Sequence, residues 1–161
     1  MDISRRAALA AGCAVGLTGL IGCGGEATAQ SRVGRIRLTE AQWRQRLTPA
    51  EYSILREGGT ERAGTSPLDR EHRRGTFSCA GCDNQLFSSA TKFDSGTGWP
   101  SFYRPISGAV TTRADRGFGM TRTEVHCRRC GGHLGHVFDD GPRPTGKRFC
   151  MNGLALKFRP A

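Results

Sequence analysis

At residues 79–82 the chain reads Cys79-Ala80-Gly81-Cys82, and at residues 127–130 it reads Cys127-Arg128-Arg129-Cys130. Turn residues follow each pair, at 83–84 and at 131–132. Two intervening residues in a tight turn let both thiolates bind one cation, and two such turns complete the four-thiolate shell of a structural Zn²⁺. The four cysteines therefore predict one structural zinc ion per chain.

The two pairs are far apart in the sequence, with 44 residues between Cys82 and Cys127. A compact zinc finger has about 15–20 residues at that place. We therefore expect the zinc ion to clamp two distant loops of a single domain. If the protein is exported, two disulfides or two redox-active C-x-x-C pairs are the alternatives to a zinc site.

The segments around the cysteine pairs predict a mainly β domain. From residue 76 onward, apolar residues come in short runs separated by Gly and Pro, as in antiparallel strands. The predicted strands include residues 77, 86–87, 102–103, 109–110, 120–125, 134–138, 148–151 and 154–158. Two short helices precede them, at residues 39–46 and 48–57, since Thr48-Pro49-Ala50-Glu51 is a capping box that begins a helix and Gly58 ends one.

Residues 1–29 are predicted to be an export signal. Ser4-Arg5-Arg6 is a twin-arginine region, and residues 7–22 are apolar and rich in small side chains. Residues 20–23 resemble a lipobox that would leave a lipidated Cys23, whereas residues 27–29 form an A-x-A cleavage site. We expect an exported protein, periplasmic or anchored to the membrane as a lipoprotein. Because the twin-arginine route exports folded proteins, zinc could be loaded in the cytoplasm.

Length and composition narrow the possibilities for the rest of the chain. Residues 30–46 read as a leader with the first helix, and residues 47–161 as one domain. Without residues 1–29 the chain keeps 132 residues and a thin apolar core, which favours a covalent or metal clamp. The formal net charge is +10, but the arginines are scattered, so nucleic acid is not an expected partner. A multi-pass membrane protein is excluded, because the longest apolar run is too short.

Cys150 is the cysteine that neither the zinc pattern nor the export signal explains. Arg148 lies two residues earlier, on the same face of a predicted strand, and a nearby cation lowers the pKa of a thiol. His133 and His136 could supply acid–base groups, provided that Gly135 bends the strand so that both imidazoles converge. The alternative for Cys150 is a buried, inert thiol, and for each histidine a hydrogen-bonded structural side chain.

Residues 93–102 read Phe-Asp-Ser-Gly-Thr-Gly-Trp-Pro-Ser-Phe, in which the glycines allow a tight turn that presents Trp99. These segments together resemble the B-type peptide methionine sulfoxide reductases over about residues 47–158. The resemblance is carried by residues 47–52, 58–62, both cysteine pairs, and residues 93–102, 133–141 and 148–152. It implies two antiparallel β-sheets packed as a tent, with zinc on the four cysteines.

The resemblance also implies an activity and a set of site residues. Cys150 would attack the sulfur of a methionine-R-sulfoxide in an oxidised protein or peptide and become a sulfenic acid. His136 would protonate the sulfoxide oxygen, within a polar shell formed by His133, Asn152 and Arg148. The substrate-binding residues would be Trp99, which would hold the methyl group, and Phe149, where the family often has Tyr.

Thr97 departs from the family pattern, because many members carry a recycling cysteine at this position. We therefore expect a one-cysteine cycle in which a thioredoxin-like protein or a small thiol reduces Cys150 directly. The protein is expected to act as a monomer. A non-catalytic binding module with the same fold is the main alternative, against which Cys150, His136 and Trp99 together argue. The other alternative is a basic zinc-ribbon protein that binds nucleic acid.

Overall fold

The computed structural model describes residues 36–161. The predicted export signal, Cys23 and residues 30–35 of the predicted leader lie outside the described residues. In the part of the chain from residue 36 onward, no helix has both the length and the apolar character that a membrane span requires.

Two short helices open the described chain, as the sequence predicts. Helix α1 is Glu40–Arg46 and helix α2 is Pro49–Glu57. At α2 the Thr48 side chain accepts from the Glu51 backbone N–H, and the Glu51 side chain accepts from the Thr48 backbone N–H. Gly58 ends α2 in the left-handed region at φ +72°, which favours glycine. The predicted capping box and helix stop are confirmed.

Within residues 36–161, nine strands form two antiparallel sheets, which confirms the predicted fold class. The strands are β1 Gly75–Cys79, β2 Gln85–Ser88, β3 Lys92–Phe93, β4 Ser101–Phe102, β5 Val110–Asp115, β6 Arg122–Cys127, β7 His133–Phe138, β8 Arg148–Met151 and β9 Leu156–Pro160. One sheet has the order β2-β1-β9, and the other has the order β3-β4-β8-β7-β6-β5. Every neighbouring pair in these sheets is antiparallel.

Aromatic rings join the two sheets in a buried core. Phe77 of β1 and Phe87 of β2 belong to the smaller sheet, and Phe102 of β4 belongs to the larger one. The Phe102 ring lies edge-on to Phe77 at 4.9 Å and stacks on Phe87 at 4.3 Å between centroids. All three side chains are fully buried. Such pairs add to the free energy gained from apolar burial, so the inner faces of both sheets are held together here.

The two helices cover the loops that carry the cysteine pairs. Trp43 of α1 and Leu55 of α2 are buried. A Cβ built on Gly81 would lie 3.4 Å from the Trp43 ring, and one built on Gly132 would lie 3.0 Å from a Leu55 methyl. Glycine at these places lets the helices pack directly on both cysteine loops.

Strand β9 begins at Leu156, two residues later than the sequence predicts. Residues 153–155 form a 3₁₀ turn, because the Glu61 carboxylate accepts hydrogen bonds from the backbone N–H groups of Gly153 and Leu154. A Cβ on Gly153 would lie only 1.8 Å from the Ser66 hydroxyl oxygen. The turn therefore needs glycine, and it fixes the chain that follows β8.

Candidate active site

The four predicted metal ligands form one buried cluster. Cys79 ends β1, Cys127 ends β6, and Cys82 and Cys130 follow in the adjacent turns. All four sulfur atoms lie within 4.8 Å of one another. Because β1 and β6 belong to different sheets, an ion bound here ties the two sheets together.

The sulfur spacing fits a tetrahedral metal ion. The Cys79 and Cys130 sulfurs are 3.7 Å apart, and those of Cys82 and Cys127 are 3.6 Å apart. Four Zn–S bonds of about 2.3 Å at tetrahedral angles place sulfurs about 3.8 Å apart, whereas a disulfide requires about 2.05 Å. The cysteines are therefore arranged as a structural metal site, and the alternative of two disulfides does not match their spacing.

Cys150 lies on β8 in the middle of the larger sheet, half-buried. Its neighbours are Ser101 on β4 and His136 on β7, both directly opposite it in the strand register. The sulfur faces a pocket of about 130 Å³ that opens to the surface. The pocket is lined by Thr60, Trp99, Arg122, Gly135, His136, Phe138, Cys150 and Asn152.

Burial raises the pKa of the Cys150 thiol above its ordinary value. Hydrogen bonding by the Thr97 and Ser101 side chains and the charge of Arg148 act in the opposite direction but do not overcome burial. Arg148 therefore does act to lower the pKa of Cys150, as predicted, but the expectation that this pKa lies below its ordinary value is wrong for the free protein. The reason is that the strand places the sulfur between two other strands.

Gly135 lets His136 reach the site, as its position between two histidines predicts. Its φ is +153°, and a Cβ there would lie 2.2 Å from the Cys150 carbonyl oxygen. Glycine is thus required for β7 to approach β8 at this point. The rings of His133 and His136 lie on the same side, with centroids 5.5 Å apart.

Asp115 at the end of β5 holds the His136 ring by a hydrogen bond. The Asp115 carboxylate lies 2.9 Å from His136 Nε2 and 2.7 Å from an Arg122 nitrogen. Hydrogen bonds from the Gly117 backbone N–H and from His136, with the charge of Arg122, keep the pKa of Asp115 well below its ordinary range. An ionised Asp115 orients the imidazole, as in other Asp–His pairs.

His133 lies behind the pocket in a buried hydrogen-bond network. Its Nδ1 is 2.6 Å from a Glu124 carboxylate oxygen, and its Nε2 is 3.5 Å from the Asn152 side-chain nitrogen. Burial lowers the pKa of His133. Although burial raises the pKa of Glu124, hydrogen bonds led by that from Arg113 lower it to about 2. A neutral His133 therefore donates to Glu124 and accepts from Asn152.

Trp99 forms one wall of the pocket, and its position is fixed by a hydrogen bond. The indole N–H donates to the Glu61 carbonyl oxygen at 3.2 Å. Asn152 is held in the same region, since its side-chain oxygen accepts from the Glu61 backbone N–H at 3.1 Å. Glu61 thus links Asn152, which follows β8, to Trp99.

These features lie within a stretch that matches a known family. Residues 47–160 match the SelR domain, which is more than half of the chain. The chain belongs to the SelR domain family. The match begins just before α2 and ends at the last residue of β9.

Three relatives of this SelR domain are named as peptide methionine sulfoxide reductases. MsrB of Agrobacterium fabrum is 53% identical over 127 residues, covering 78% of this chain and 94% of its own. MsrB of Thiobacillus denitrificans is 56% identical over 123 residues, covering 76% and 93%. The chloroplastic B1 enzyme of Arabidopsis thaliana is 55% identical over 121 residues, covering 74% and 60%.

Two further predicted residues of the SelR domain lie on opposite faces of β8. Arg148 shares the Cys150 face, donates two hydrogen bonds to Asp140 at 2.9 and 2.7 Å, and lies 4.5 Å over the Phe138 ring. Phe149 points to the other face, where its ring is 6.0 Å from that of Phe87. The structure therefore brings Arg148 to the site and places Phe149 against the core.

Sequence reasoning missed Asp115, Arg122 and Glu124. Asp115 and Arg122 are paired at the end of the β5–β6 hairpin, so an acid and a base flanking a glycine-rich turn were the available signal. Glu124 comes two residues after Arg122 on the same strand, and the alternation of a strand puts both side chains on one face.

Proposed function

We propose that this SelR domain reduces methionine-R-sulfoxide in oxidised proteins and peptides to methionine. The observation that carries the proposal is the shared pocket of Cys150, His136 and Trp99, which combines a nucleophile, an acid and an aromatic wall. A sulfoxide sulfur is a poor electrophile until its oxygen is protonated or strongly hydrogen-bonded. A thiolate facing an acid is therefore the pair that this chemistry needs.

In the first step the Cys150 thiolate attacks the sulfoxide while the protonated His136 supplies a proton to its oxygen. The oxygen ends on the Cys150 sulfur as a sulfenic acid, and the sulfoxide sulfur gains two electrons and leaves as the thioether. Asp115 supports this step because its carboxylate stabilises the protonated imidazole through Nε2, leaving Nδ1 for the substrate. A positioned general acid contributes about 10²–10⁴-fold to the rate.

The second part of the cycle uses an external thiol. That thiol, from a thioredoxin-like protein or a small molecule, attacks the sulfenic acid, forms a mixed disulfide and releases water. A second thiol then frees Cys150. Among residues 36–161 the other cysteines all belong to the metal cluster, which supports recycling without a second cysteine of this domain.

The metal that we propose for the four-cysteine site is Zn²⁺. Four thiolates at tetrahedral spacing form the donor set of structural zinc sites. Zinc bound there supplies no chemistry to the sulfoxide, and its contribution is to fold the domain.

We also propose that the protein works outside the cytoplasm. The twin-arginine region and the two competing processing sites within residues 1–29 support export, with Cys23 lipidated or removed. Mass spectrometry of the mature N-terminus distinguishes a lipid-anchored from a periplasmic product, and an N-terminus that keeps residues 1–29 would contradict export.

The decisive assay compares the two epimers of dabsyl-methionine sulfoxide with dithiothreitol as reductant. The R epimer is expected to turn over and the S epimer to stay at background, because Cys150, His136 and Trp99 are fixed points of a handed pocket and each epimer needs its own enzyme. Chromatography measures the dabsyl-methionine formed. Equal reduction of both epimers would contradict the proposed R specificity, and no reduction by metal-loaded protein would contradict the proposed activity and favour a binding module.

Thr97→Cys is expected to add an internal recycling step. The Thr97 hydroxyl oxygen lies 3.8 Å from the Cys150 sulfur, so a sulfur at that place needs only a small movement to close a disulfide. After one turnover without reductant, peptide mass spectrometry should find a bond between the introduced cysteine and Cys150, and thioredoxin should reduce this oxidised protein faster than it reduces the oxidised wild-type protein. Thr97→Ser is the matched control without a thiol. Sulfenic acid persisting in Thr97→Cys would reject this expectation.

A further inference from the structure

Three hydroxyl groups form a chain that ends at the catalytic sulfur. Thr97 Oγ1 lies 3.8 Å from Cys150 Sγ and 2.8 Å from Ser95 Oγ, and Ser95 Oγ lies 2.7 Å from Ser101 Oγ. Ser101 lies directly opposite Cys150 in the strand register, its hydroxyl also acts on the sulfur by hydrogen bonding, and its Oγ lies 3.0 Å from the Trp99 carbonyl oxygen. Ser101 is fully buried, so these hydroxyls are anchored in the interior of the domain beside the sulfur.

When Cys150 carries its proton, every hydroxyl in this series can both accept and donate a hydrogen bond. A hydroxyl has one proton to donate and lone pairs with which to accept, and a carbonyl oxygen only accepts. The Cys150 thiol then donates to Thr97, and Thr97 donates to Ser95. Ser95 donates to Ser101, and Ser101 donates to the carbonyl of Trp99.

Ionisation of Cys150 reverses the direction in which the three hydroxyls donate their hydrogen bonds. The thiol proton leaves to water in the open pocket, and the sulfur becomes an acceptor with a negative charge. The hydroxyls then rotate, so that Ser101 donates to Ser95, Ser95 to Thr97 and Thr97 to the sulfur. We propose that Thr97, aligned by Ser95 and Ser101, is a catalytic residue that donates a hydrogen bond to the Cys150 thiolate. This inference deepens the proposed function and rests on it.

The need for this donor follows from the other groups around the sulfur. Burial raises the pKa of Cys150, so the thiolate needs partners inside the pocket. The charged or titratable groups that face it are His136 on β7, Arg148 on β8 and Arg122 across the pocket. His136 is proposed to serve the sulfoxide oxygen. Arg148 donates twice to Asp140 and also acts on the sulfur through its charge and a hydrogen bond, but each of these effects on the Cys150 pKa is smaller than that of the Thr97 hydroxyl. When the hydroxyls donate toward the ionised sulfur, the Thr97 hydroxyl is the group that points at it.

The test is the pH dependence of alkylation of Cys150 by iodoacetamide in the metal-loaded protein, followed on the Cys150 peptide by mass spectrometry. Thr97→Val keeps the shape of the side chain and removes the hydroxyl. It is expected to raise the midpoint of alkylation by about one pH unit, since a hydrogen bond to a charged group is lost. Thr97→Ser should keep the midpoint near that of the wild-type protein, and Ser95→Ala should give a smaller rise than Thr97→Val.

Turnover provides the second readout. At neutral pH, Thr97→Val should lower kcat about tenfold, in proportion to the lost thiolate, and raising the pH should recover it. A Thr97→Val protein with full metal content and the wild-type alkylation midpoint would overturn the inference. Alkylation uses no sulfoxide, so a shifted midpoint in a protein without reductase activity would reject the proposed function and leave the hydroxyl donor standing.

Discussion

Cys150→Ser is expected to abolish sulfoxide reduction and to leave the folded domain intact. The serine hydroxyl fits the half-buried place between β4 and β7 without a clash, so the strand pairing remains. The serine cannot replace the cysteine in the reaction, because a hydroxyl stays protonated at neutral pH. Unlike a thiolate, it also cannot accept the sulfoxide oxygen to become a sulfenic acid. Turnover should therefore fall to the background given by the reductant alone.

Two measurements separate this result from a loss of structure. The variant should keep the metal content and thermal midpoint of the wild-type protein while the chromatographic assay finds no dabsyl-methionine. In the wild-type protein, one turnover without reductant should add one oxygen to the Cys150 peptide, and dimedone should trap it. Residual turnover by Cys150→Ser above the reductant background would show that another group is the nucleophile.

Local sequence signals were sufficient for the elements that form the frame of the site. The capping box at Thr48 and the stop at Gly58 predicted α2 because both act through the backbone of a few neighbouring residues. The short apolar runs likewise predicted most of the strands, and the bounds of β8 agree with the prediction. Strand β3 was not among the predicted strands, and β5 extends to Asp115, beyond the predicted residues 109–110. Strand β9 was misplaced at its start because the turn before it depends on Glu61, which is distant in sequence.

The chemistry around Cys150 was only partly predictable, because it depends on strand register. The sequence predicted Arg148 and Gly135 beside the site, each from its spacing to a site residue along its own strand, and both lie there. Asp115 reaches His136 only through the pairing of β5, β6 and β7, which no local pattern specifies. The raised pKa of Cys150 has the same origin, since burial comes from the neighbouring strands and outweighs the charge of Arg148.

Cys127→Ser is expected to have the largest effect on stability, with loss of the metal and unfolding of the domain. Cys127 ends β6 and Cys79 ends β1, so the bound ion is a direct link between the two sheets. Structural zinc contributes about 10–16 kcal/mol of apparent binding free energy in small domains, and a domain of this size has about 5–15 kcal/mol of net stability. The thin apolar core between the sheets cannot replace that contribution.

The experiment measures metal content by mass spectrometry and folding by circular dichroism during a denaturant titration. Cys150→Ser is the matched control, because it makes the same chemical change at a cysteine outside the metal cluster and should retain one ion per chain. Removal of the ion from the wild-type protein with a strong chelator should reproduce the unfolding of Cys127→Ser. A Cys127→Ser protein that stays cooperatively folded without metal would mean that the aromatic contacts of Phe102 with Phe77 and Phe87 hold the sheets together by themselves. The metal would then be dispensable for the fold, and the domain's stability would rest on its core.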